Sequence, residues 1–157
     1  ITRDESEVIV RNWRESNPKI TAFWKDLENH FRMRVPEPVE FELPSGRKLR
    51  YRQPESVAGS LTARIPRQGK LIPVRIWGAI LCENIIQAAS RDVFCEGVLR
   101  LKANGFKVIL TVHDEVVVEA EPHQTASEVV RLLCETPSWI SGLPIDAEAS
   151  EAQIYTK

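Results

Sequence analysis

The feature that most constrains the fold is the proline-free run WGAILCENIIQAASRDVFCEGVLRLK from Trp77 to Lys102, closed by Asn104-Gly105. A stretch this long without a helix breaker, ended by a pair that favours a left-handed C-terminal cap, predicts one long helix from Trp77 or Gly78 to about Lys102. At about 100° per residue, Glu83, Asn84, Gln87, Ser90 and Arg91 gather on one arc, while Leu81, Ile85, Ala88, Ala89 and Val93 fill the opposite side. One face should be buried and the other should present amides. A solvated face is the plainer account of such an arc, although Asn and Gln are less usual there than Lys and Glu. Asp92 falls among the apolar positions and needs a basic partner.

Directly after this helix comes KVILTVHDEVVVEAE, two β-branched runs interrupted at His113-Asp114-Glu115. The pattern predicts a β-hairpin with the three polar residues at or beside its turn, between strands apolar enough to be buried. Two adjacent carboxylates on a rigid turn can hold a hard divalent cation such as Mg²⁺ through oxygen. The same residues also read as a turn whose Asp accepts backbone hydrogen bonds while His and Glu face solvent. Phosphate-loop, dinucleotide, zinc-protease and serine-elbow motifs are absent.

The remaining elements follow from shorter signals. Val8, Ile9 and Trp13 are spaced for a helix over Asp4 to Trp13, and Asn17-Pro18 opens a second helix running to about Phe31. Trp13 and Trp24 are expected to be core or helix-packing residues. FELPSGRKLRY reads as a small hairpin turning at Ser45-Gly46, and residues from about Arg52 to Pro73 read as a mobile or irregular basic loop. Thr125 and Glu128 are spaced as a capping box for a helix ending near Cys134, and LPIDAEASEAQIY is a last extended run expected to return to the sheet. The expected fold is α+β: a single domain over 1–157, with a small antiparallel sheet carrying the His-Asp-Glu hairpin, backed by the long helix and its neighbours.

Composition narrows the setting. The chain has 157 residues, 43% hydrophobic and 27% charged, with a net charge of −1, as ordinary globular proteins do. No stretch approaches the roughly 18 apolar residues of a membrane span, and the opening ITRDESEVIV is charged where a signal peptide would be apolar. Cys82, Cys95 and Cys134 fit neither a metal motif nor a disulfide framework, so a reducing, cytoplasmic compartment is the default. Charge is uneven. Between Arg47 and Arg75 lie eight basic residues and one acid, Glu55, which gives that segment +7 and the remainder −8. A basic arm on an acidic body suits contact with a polyanion, and a solvated basic loop is the bland alternative.

ENIIQAASRD, a Gly-ended helix and VHDEVVVE in this order resemble the C-terminal palm of family A DNA polymerases. RNWRESNPKITAFW, LPSGRKLRY and PSWISGLPIDAEASEAQIYTK resemble the phage-type members of that family, so the likeness covers nearly the whole chain. It implies a palm fold and template-directed nucleotidyl transfer with Mg²⁺, primer-template DNA and dNTP, in a bacterial or phage-infected cell. It implies that Asp114 is one of two metal-holding aspartates, His113 lies beside the primer terminus and Glu115 is an auxiliary carboxylate. Gln87, with Asn84 or Glu83, corresponds to contacts along the primer-template minor groove, and Arg91, Arg47 and Lys48 join them as DNA-binding candidates.

The family's usual Asn four residues before the Gln is replaced here by Glu83. The family's other catalytic aspartate and its nucleotide-holding fingers helix precede the region that this chain resembles. The chain therefore reads as a fragment that depends on the rest of a polymerase chain. A pair of metal ions roughly 3.5–4 Å apart needs carboxylates on both sides, and one aspartate does not supply them. The isolated piece is expected to keep its fold and lack polymerase activity. A non-catalytic nucleic-acid-binding module and a metal-dependent phosphodiesterase are the alternatives.

Overall fold

The computed structural model describes residues 1–155. Among these residues, four helices, a four-stranded antiparallel sheet and a separate two-stranded ribbon make an α+β fold, as expected. Close packing divides it into two units. One comprises Ile1–Leu43 and Lys48–Ile86, and the other Pro44–Arg47 and the chain from Gln87 onward.

The first unit opens with α1 (Arg3–Ser16), whose Thr2 and Glu5 cap each other's backbone N–H groups, and α2 (Pro18–Arg34), with proline at its first position. Helix α1 contributes no buried residue, and its Trp13 stacks on Trp24 of α2 at 5.6 Å between ring centroids. Leu27 and Phe31 of α2 enter the core. Strands β1 (Val39–Glu42), β2 (Lys48–Val57), β3 (Ser60–Arg67) and β4 (Lys70–Ile76) follow as a meander, in the spatial order β1-β2-β3-β4.

One face of that sheet is apolar: Val39, Phe41, Tyr51, Leu61, Ala63 and Ile76 pack with Leu27, Phe31, Leu81 and Cys82. The other face carries the charged partners of the same alternation. Phe31 and Phe41 meet the Tyr51 ring edge-on, which adds aromatic contact to the area they bury.

The hairpin at Ser45-Gly46 stands where it was expected. The irregular loop between Arg52 and Pro73 does not: that segment is β3, most of β4 and the second half of β2. Two tight turns produce this result. Ala58-Gly59 and Gln68-Gly69 each place two successive residues at positive φ (48° and 79°, 49° and 75°), the geometry of two-residue hairpin loops that match strand twist.

The prolines in this segment obscured the strands without breaking them. Pro54 sits at a bulge between Arg52 and Glu55, Pro73 lies on the edge strand, and Pro66 lies beyond Arg64, the last β3 residue paired to β2.

Helix α3 (Gly78–Ala103) confirms the long-helix expectation. Its first residue admits no side chain, since a Cβ on Gly78 would stand 2.1 Å from the Trp24 carbonyl oxygen. The Gly78 N–H donates to the Glu28 carboxylate at 3.2 Å.

In the second unit, β5 (Lys107–Val112) and β6 (Glu115–Glu119) form their own ribbon and are not part of the four-stranded sheet. Val108, Val116 and Val118 pack on a cluster of Leu101, Phe106, Val129 and Leu132 beneath α4 (Ala126–Cys134), whose cap residue Thr125 accepts from the Glu128 N–H.

The final run is a second correction. Beyond a short 3-10 turn at Ser138–Ile140, the described residues to Tyr155 include no strand. Ala, Glu, Asp and Ser dominate that run and have low strand preference.

Candidate functional site

The sequence-predicted hairpin turn is present. Val112 pairs with Glu115, leaving His113-Asp114 as a two-residue connection, and His113 adopts the left-handed region at φ 55°. That conformation excludes β-branched residues and is tolerated by His more readily than by most side chains. His113 and Asp114 are exposed and Glu115 is half-buried.

The expectation that the flanking strands bury these groups is overturned. Only one side of the ribbon is covered, and Ile109 and Leu110 on β5 remain 50% and 37% exposed. The carboxylate of Asp114 is therefore open to water.

One hydrogen bond ties the turn to α3. Arg91, from the polar arc of α3, donates through Nη1 to the His113 carbonyl at 3.2 Å, while its guanidinium lies 5.1 Å from the centre of the Phe94 ring. Arg91 and the His-Asp-Glu turn are thus joined by a direct hydrogen bond.

Tyr155 approaches from the last described residues and interacts with Glu115. Its hydroxyl is held above its ordinary value by lost solvation first, then by the hydrogen bond to Glu115 and that group's charge. No sequence signal singled out Tyr155, because it follows an irregular segment with no periodicity to place it.

The other candidates divide by what they touch. Asn84 donates its amide to the Tyr51 hydroxyl at 2.8 Å, at the rim of the first unit's core. Burial holds the Tyr51 phenol above its ordinary value, and the Asn84 hydrogen bond opposes that shift. Glu83 and Gln87 are exposed on α3.

Arg47 supplies the partner that Asp92 required: its Nε lies 2.7 Å from Asp92 Oδ1, its Nη2 donates to the Ala88 carbonyl at 2.9 Å, and Ser45 Oγ donates to Asp92 Oδ2 at 2.5 Å. Lys48 pairs with Glu40 at 3.0 Å.

As a cation site, the turn offers the exposed oxygen ligand of Asp114 and the adjacent carboxylate of Glu115. This donor set suits Mg²⁺, which commonly takes one or two protein carboxylates together with water and phosphate oxygens. Among the described residues no three His, Cys, Asp or Glu side chains converge as a metal site. No helix among them is long and apolar enough to cross a membrane.

Comparison with known proteins adds one relative. No family model matches the chain, and no solved structure matches it. Over its entire length the chain is 30% identical, across 182 aligned residues, to a DNA polymerase of Bacillus phage SP02. The chain spans 28% of that relative's length. From end to end, it is a polymerase-related region.

Proposed function

We propose that the chain is the C-terminal palm region of a phage-type family A DNA polymerase and contributes Asp114 to a two-metal nucleotidyl-transfer site. The observation that carries this reading is the exposed Asp114 on a fixed turn, tied by Arg91 to the amide-bearing helix, in a chain 30% identical throughout to a phage DNA polymerase. Asp114 would hold one side of a Mg²⁺ pair, with the opposing carboxylate supplied from outside this chain. When bound, such ions acidify the primer hydroxyl and neutralise charge on the transferring phosphoryl group.

The chain's own residues do the rest. Arg91 holds the turn through the His113 carbonyl and leaves the imidazole open toward a primer end. Glu115, hydrogen-bonded to the Tyr155 hydroxyl, places a second carboxyl group next to Asp114. Gln87 and Glu83, exposed on α3, are candidates to contact a primer-template minor groove. Asn84 would reach it only by giving up Tyr51. Alone, the chain should bind DNA without extending a primer.

The test is Mg²⁺-dependent primer extension by the longer polypeptide that carries this segment, wild type beside Asp114→Asn. The substitution preserves shape and removes charge. Extension should fall on the order of 10³-fold or more, equivalent to about 4 kcal/mol of transition-state stabilisation, with primer-template binding retained. Equal extension by both proteins would refute the assignment.

A further inference from the structure

The four-stranded sheet separates its charges in a way that neither the fold nor the metal site requires. On its solvent face, paired residues lie directly opposite one another, with Cβ atoms about 4.5–5.5 Å apart. At the β1–β2 end, Glu40 and Glu42 face Arg50 and Lys48. Glu40 bonds both Lys48 (3.0 Å) and Arg50 (2.7 Å), and these contacts hold its carboxyl below the usual range, the Lys48 hydrogen bond first.

At the β2–β4 end the arrangement reverses. Arg52 stands directly opposite Arg64, and Arg75 stands opposite Thr62 in the adjoining row. The one acid in these rows, Glu55, reaches Arg64 only at 3.9 Å, with both side chains well exposed. Arg67 and Lys70, at the base of the Gln68-Gly69 turn, fall in the opposite phase of the strand and are not part of this face.

Like charges placed directly opposite on a sheet destabilise it, so the Arg52–Arg64 pair works against folding. We propose that this face, formed by Arg52, Arg64 and Arg75, is a binding surface for the phosphate backbone of nucleic acid. Charge complementarity carries the assignment. Three outward guanidiniums on adjacent strands, one of them weakly paired, form a rigid array of the group that best matches phosphate oxygens. The proposed contact is with phosphate oxygens, which carry no sequence information. The choice of nucleic acid among polyanions rests on the polymerase reading; the array itself does not, since it lies on the sheet and requires no metal.

The test uses the full 157-residue chain and a short labelled DNA duplex, with affinity measured across a salt series. The triple variant Arg52→Gln, Arg64→Gln, Arg75→Gln should bind about tenfold or more weakly at low salt and lower the log–log salt slope by about 2 to 3, at roughly 0.9 per lost phosphate contact. Lys107→Gln, whose cation is already paired with Glu119 at 2.6 Å, should change the slope little.

Arg52→Gln alone should leave the unfolding midpoint unchanged or raised, separating lost binding from lost folding. The charge-preserving Arg→Lys triple should retain most of the slope. An unchanged slope in the Gln triple, an equal loss in the Lys triple, or equal binding of polyglutamate in place of DNA would each overturn the proposal. None of these results depends on Asp114, so failure here and failure of the polymerase reading are distinguishable.

Discussion

The two sheets use apolar residues in opposite ways. Over its packed part, the four-stranded sheet turns apolar side chains to a helix-covered core and charged ones to solvent, so Leu61 and Ala63 are buried while their strand neighbours Thr62 and Arg64 face outward. In the β5–β6 ribbon, apolar residues occupy both faces. Val108, Val116 and Val118 are packed, whereas Ile109 and Leu110 stay substantially exposed. A near-continuous run of Val, Ile and Leu is the composition of a strand covered on both sides, while strict alternation belongs to a sheet with one wet face. The comparison teaches that the charged face of the larger sheet needs no apolar cover, and that the ribbon's exposed apolar residues carry little of the unit's stability.

That contrast can be broken by substitution. Phe31→Ala, emptying the fully buried centre of the larger core, should cost about 3–5 kcal/mol in urea unfolding. A cost near 1 kcal/mol would mean that this core is loosely packed. Asp92→Ala removes the acceptor shared by Ser45 and Arg47 and should cost about 1–2 kcal/mol, discounted because the Arg47 side chain is half exposed. No loss would show that this network does not hold the β1–β2 loop. Ile109→Thr, on the open face of the ribbon, should cost less than about 0.5 kcal/mol. A loss of 2 kcal/mol or more would show that the face is covered in solution and would erase the comparison.

What could be read from sequence tracks the range over which each signal acts. The long helix was legible because periodicity, absence of proline and the Asn104-Gly105 ending all agree. The His-Asp-Glu turn was legible because three polar residues interrupt two β-branched runs. Strands β3 and β4 were hidden because Pro54, Pro66 and Pro73 are read as breakers unless edge and bulge positions are known, and those depend on pairing partners. Their turns were also disguised, since Ala and Gln stand at the positive-φ position where Asn or Asp is the usual signal. Asp92 announced its need for a cation, but Arg47 lies 45 residues away, beyond any local pattern. Tyr155 beside Glu115 depends wholly on tertiary placement.

The bulge at Gln53-Pro54 has an effect that composition does not disclose. Before it, odd-numbered residues of β2 point to the core (Leu49, Tyr51); after it, even-numbered Pro54 does, and Glu55 points outward. One inserted residue has changed the reading frame of the strand. In an uninterrupted strand the same letters would send Glu55 beneath the sheet beside Ala63 and Leu61, and leave the three arginines without a counter-ion. The electrostatic character of the surface is therefore written in backbone phase as much as in residue identity. A residue count along this strand, and not its charge count, decides which side of the sheet an anion meets.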